Sequence, residues 1–74
     1  MTTDEQSLAL AHRLVGTIAA ELATTHPTVR HVLDLSRTVD GWQMDVWRGD
    51  ELEMRTRGDI NLVSHRLAEW GGVI

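Results

Sequence analysis

Four histidines, His12, His26, His31 and His65, are the first residues of this 74-residue chain that could do chemistry, since imidazole is the commonest metal ligand and a frequent general base. A helical metal site spaces its ligands four residues apart, in patterns such as His-x-x-x-His. His12 has Gly16 at that distance, and His26 and His31 lie on either side of Pro27 in a loop and a strand start. The four therefore read as scattered surface histidines, and neither a metal nor a cofactor is expected.

A catalytic nucleophile needs a serine, threonine or cysteine beside an oriented base. The chain has no cysteine, Ser7 and Ser36 have no base near them in sequence, and Ser64 and His65 are neighbours on a helical segment. Adjacent helical residues point about 100° apart, so those two cannot work as a dyad. The paired carboxylates Asp50 and Glu51 fall at a hairpin tip, where burial cannot raise a pKa. No catalytic residue is expected, and the chain reads as a protein that is not an enzyme.

These residues are positioned by five elements. From Thr3 to Thr25, Leu8, Ala11, Val15, Ile18 and Leu22 recur at steps of three and four, which predicts a helix over about 3–25. Thr3 and Gln6 suit a capping box at its start, and His26-Pro27 ends it. The period then changes to two, predicting strands over about 28–36, 41–48 and 51–57, with Asp40-Gly41 and Arg48-Gly49-Asp50 as the turns. Asp59 is a plausible cap for a last helix over about 59–70, carrying Ile60, Val63, Leu67 and Trp70 and stopped by Gly71-Gly72.

The fold expected is α+β: a helix, a three-stranded antiparallel meander and a second helix, with both helices on one face of the sheet, as a single domain over 1–74. The covered face should hold Leu33, Leu35, Trp42, Met44, Val46, Leu52 and Met54. The order helix, three strands, helix is similar to that of the double-stranded RNA-binding domain. In that family the resemblance implies RNA contact from a lysine cluster at the start of the second helix, where this chain places Gly58-Asp59-Ile60-Asn61. Only the order is shared.

Composition bounds the function classes. A 42% hydrophobic and 24% charged chain is that of an ordinary globular protein, and the net charge of −4 repels phosphate backbones. The longest uncharged apolar run, Leu14 to Ala20, is too short to cross a bilayer, so no membrane association and a cytoplasmic location are expected. Without disulfides a core this small is marginal, which favours a homodimer. The tripeptide Arg-Gly-Asp at 48–50 and 57–59 resembles the integrin-adhesion tripeptide, but each copy has a turn or capping job to do.

Strict alternation puts Trp47 opposite in direction to Trp42, hence on the uncovered face with Val32, Arg30, Asp45, Glu53, Arg55 and Arg57. A tryptophan ringed by arginine and acidic residues has the composition of a binding hot spot. The reading is thus a small non-catalytic protein-binding or regulatory module, self-associating, of the kind a phage or mobile element uses against a host protein, with no small-molecule substrate. Two alternatives are kept: a nucleic-acid binder through Arg30, Arg55, Arg57 and Trp47, and an acidic mimic of nucleic acid through Asp45, Asp50, Glu51 and Glu53. A smooth strip of Ala9, Gly16, Ala20 and Ala23 on the first helix is a second candidate surface.

Overall fold

The computed structural model describes residues 4–73, and its side chains from Glu5 onward. Helix α1 spans Asp4–Thr25; the Thr3 cap expected at its start lies outside the described residues. The apolar stripe read from the sequence is the face that packs: Ala11 and Ile18 are buried, and Leu14, Val15 and Leu22 lie against the core. The helix stops as expected before proline. His26 N–H still donates to the Leu22 carbonyl at 2.8 Å, after which Val29 N–H donates to the His26 carbonyl at 3.1 Å, closing a turn with Pro27 at its second position.

That turn corrects the start of the first strand. β1 spans His31–Arg37 and not 28–36, because Thr28 and Val29 are used in reversing the chain. β2 covers Trp42–Arg48 and β3 covers Glu51–Gly58, in the sheet order β1-β2-β3, antiparallel throughout. Helix α2 follows over Ile60–Trp70.

The loop and cap residues act by identifiable means. Gly49 has φ of +62° and Asp50 stays negative, the sign pattern of a type II′ hairpin turn, which asks for glycine first. Asp59 caps α2, its carboxylate accepting from Leu62 N–H at 2.9 Å. At the other end Gly72 takes φ of +73°, and Val73 N–H donates to the Ala68 carbonyl while Gly72 N–H donates to that of Glu69, a Schellman closure. Gly41 lies in the bend between β1 and β2, as its turn reading expects, and has a second reason to be glycine. A Cβ there would stand 2.6 Å from the Gly58 carbonyl oxygen, so glycine is needed to let two backbone segments touch.

Both helices cover one side of the sheet and pack on each other, α1 over β1 and α2 over β2 and β3. The fully buried cluster is Ile18 from α1, Met44 and Val46 from β2, and Val63 and Leu67 from α2, flanked by Leu33, Leu35, Trp42 and Met54. Trp42 is only half-buried: it sits at the rim, with the Arg37 guanidinium 5.5 Å from its ring centroid, a cation–π contact. One expected core residue is elsewhere. Leu52 is exposed and pairs with Trp47 on the opposite face.

Two glycines give stability changes of opposite sign. Gly16 lies exposed inside α1 with nothing within 4 Å of an added Cβ, so Gly16→Ala is expected to stabilise by about 1 kcal/mol. Gly41→Ala forces Cβ onto backbone and should lower stability by 1 kcal/mol or more, on the order of other overpacking changes. Urea denaturation of the two variants beside the parent chain checks both signs.

Candidate interaction surface

The side of the sheet away from the helices is built by register, since residues paired across antiparallel strands point to the same face. Three rows cross it. Val32, Trp47 and Leu52 form the first, Asp34, Asp45 and Arg55 the second, and Ser36, Gln43 and Arg57 the third. Arg30 precedes β1 and is exposed beside the first row, its carbonyl accepting from Gly49 N–H at 2.7 Å.

The first row is apolar and open to water. Val32 is 40% exposed and Leu52 38%, with the half-buried Trp47 indole between them. Trp47 therefore lies on the side away from the helices, opposite in direction to Trp42. The expectation that all core leucines face the helices fails at Leu52, and the expectation that Glu53 faces outward fails with it.

Both corrections have one cause. The two-residue turn at Gly49-Asp50 pairs Arg48 with Glu51 and Trp47 with Leu52, yet Val46 pairs with Met54 and not with Glu53. Glu53 is an extra residue, a β-bulge in β3. Simple alternation would have carried a glutamate into the core against Val46. With the bulge, Glu53 is left unpaired and exposed near the sheet end, its carboxylate 3.2 Å from Arg48 Nε.

The second row is electrostatic. Arg55 holds Asp45 with two hydrogen bonds, Nε to Oδ1 at 2.8 Å and Nη2 to Oδ2 at 3.0 Å, and Gln43 Nε2 donates to the same carboxylate at 3.2 and 3.3 Å. The fork geometry is what makes arginine suited to such a pair. The Asp45 side chain is only 11% exposed, whereas that of Arg55 is 50% exposed. The hydrogen bond from Arg55 is the main reason the Asp45 carboxyl is held below the usual aspartate range, against the opposing effect of burial. Asp34, directly across from Asp45 on β1, is exposed and joins none of the ion pairs among the described residues.

Of the residues expected at this surface, Trp47, Val32, Asp45, Arg55 and Arg57 share it by register, and Arg30 adjoins it. Glu53 does not. Alternation in the sequence already puts Asp34 with Val32 and Gln43 with Asp45 and Trp47, although neither is among the residues expected at the surface; Leu52 is the residue it misses, although counting inward from the Gly49-Asp50 turn finds Leu52 beside Trp47.

The histidines lie outside this face. The His26 and His31 rings lie 5.9 Å apart between centroids, tilted 51° to each other, beside a cavity of about 160 Å³ that Leu22, Glu53 and Trp70 also line, and His31 Nδ1 is buried there without a hydrogen-bond partner. The reading that His65, like His12, has no His, Asp or Glu four residues on is corrected: Glu69 follows His65 by four residues, and the two side chains approach to 3.7 Å on exposed surface. Among the described residues, no three His, Asp or Glu side chains gather as a metal site requires, and no helix is long and apolar enough to cross a membrane.

The fold and this surface define a class: a two-layer α+β domain with helices on one face and a patterned, uncovered sheet on the other. Compared with protein-family models, curated proteins and solved structures, the chain matches none.

The Asp45–Arg55 pair sets a pH dependence with a fixed sign. A carboxyl whose pKa is lower in the native than in the unfolded chain adds stability above the ordinary aspartate pKa, and that stability is lost as pH falls towards the native value. Replacing Arg55 by leucine removes the largest cause of the lowering. The Asp45 titration followed by carboxyl carbon NMR should then move up in pH, and the acid-unfolding midpoint with it.

Proposed function

We propose that this chain is a non-catalytic protein-binding module whose contact surface is the open face of its sheet. The observation that carries the reading is the row Val32–Trp47–Leu52, an apolar stripe across all three strands on the side the helices do not cover. Protein contacts concentrate their energy in such aromatic centres bordered by polar residues that exclude water. Here the border is supplied by the ordered Asp45–Arg55–Gln43 network, whose side chains already have partners. Their positions are therefore fixed before binding, which lowers the ordering cost of association.

Other chemistry on this surface has less support. A phosphate-tracking face needs free cations, and of the arginines here Arg55 is neutralised by Asp45 while Asp34 adds a negative charge beside them. Imitating nucleic acid needs free anions, and Glu51 and Glu53 both pair with Arg48 at 3.5 and 3.2 Å.

The test is truncation of the centre. Trp47→Ala should weaken binding to the module's partner at least tenfold, the usual loss at a hot spot, while the chain still melts in one cooperative transition, its midpoint lowered by about 4–8 °C for each kcal/mol the half-buried indole contributes. Leu10→Ala on the exposed side of α1 serves as the control. Binding measured by calorimetry at low and high salt should change little for an apolar contact. A steep fall with salt would instead favour a nucleic-acid partner, and equal affinity of Trp47→Ala and the parent chain would remove the surface from consideration.

A further inference from the structure

The pattern of the open face says which partner fits it. We propose that this face packs against the same face of a second copy, sheet on sheet, about a two-fold axis running along β2. The inference rests on the reading of the open face as a contact surface, and adds the occupant and its register.

A two-fold axis parallel to β2 turns one sheet over while keeping each position along the strands. Row therefore meets the same row, and β1 of one copy lies over β3 of the other. The first rows then bring Val32 onto Leu52 of the partner copy, with the two Trp47 indoles meeting near the axis. The second rows bring Asp34 onto the partner copy's Arg55, twice by symmetry. An axis running across the strands would instead lay the apolar first row on Ser36–Gln43–Arg57. Only the first arrangement lays apolar row on apolar row and Asp34 on Arg55; the two Asp45 carboxylates that also meet near the axis are each already neutralised by their own Arg55.

The hydrogen bonds within one chain leave this match open. Arg55 uses Nε and one Nη2 hydrogen on Asp45, which leaves Nη1 as a donor on a side chain that is half exposed. Asp34 joins no ion pair among the described residues and is held directly opposite the like charge of Asp45. The second copy supplies what each lacks.

Size sets the strength. Strands of seven residues in a three-stranded sheet give a face of about 23 Å by about 14 Å at ordinary strand spacings, which is small for a specific interface and implies a concentration-dependent dimer.

Sedimentation equilibrium of the full chain at low salt tests this. The parent chain should dimerise, and Asp34→Asn should raise the dissociation constant about tenfold, two charge pairs being lost, without lowering the melting point of the monomer, since it also removes the clash with Asp45. Ser36 lies over Arg57 of the partner copy, so Ser36→Arg should weaken the dimer by a similar factor, and adding Arg57→Glu should restore it. Both positions are exposed, so folding is not at issue.

Two results would overturn the inference: a monomer at all concentrations, or a dimer indifferent to both Asp34→Asn and Ser36→Arg, as one dissolved by Leu10→Arg on α1 instead would be. A monomer that still loses a different protein partner on Trp47→Ala would overturn the inference alone. Failure of Trp47→Ala to affect any association would overturn the surface itself.

Discussion

One residue too many in β3 decides what the sheet shows to water. Between the Gly49-Asp50 turn and Met54 the sequence has Glu51, Leu52 and Glu53, and a regular ladder would send alternate members of that run to each face. In a strand with a buried side, a slip of one position exchanges every residue between core and solvent. The bulge at Glu53 absorbs the slip: Met54 and Thr56 stay under the helices with Val46 and Met44, while Leu52 keeps the place beside Trp47 that the turn gives it. With Glu53 left unpaired and exposed, the cost of burying a glutamate is avoided.

The rest of the molecule follows from having only two helices for two sheet faces. Together they bury one side around Ile18, Met44, Val46, Val63 and Leu67, and nothing in the described chain remains to cover the other. That other side is not uniformly polar. It is graded along the strands from an apolar row through an ionic row to a neutral and basic one, with its central carboxylate nearly sealed from water by its own arginine. Order in that ionic row is what turns a bare surface into a patterned one, because Asp45 and Gln43 stop being free to move once Arg55 closes on them.

Much of the fold was legible beforehand, for reasons local to the chain. The three-and-four spacing of Leu8, Ala11, Val15, Ile18 and Leu22 defined α1 and the face it packs, and Asp59 announced its own cap. Gly49 marked a hairpin by the backbone conformation the turn requires. The surface was legible in part: Trp47 could be set against Trp42 by alternation alone, because no irregularity interrupts β2 against β1. Errors arose where pairing between strands outranked order within one. Leu52, apolar and in step with Met54, reads as core, and Glu53, charged and out of step, reads as part of the uncovered face.

What the amino-acid order fixes by itself is therefore the set of elements, their ends and the direction of each side chain while the backbone stays regular, since these depend on sterics and hydrogen bonds within a few residues. Tertiary structure alone decides where regularity breaks. It places the extra residue at Glu53, uses Gly41 to let one backbone segment rest on Gly58, and brings Asp34, Asp45 and Arg55 from three strands into one line. Those outcomes depend on energies shared between distant segments, above all the cost of a charge in the core, which no short stretch of sequence contains.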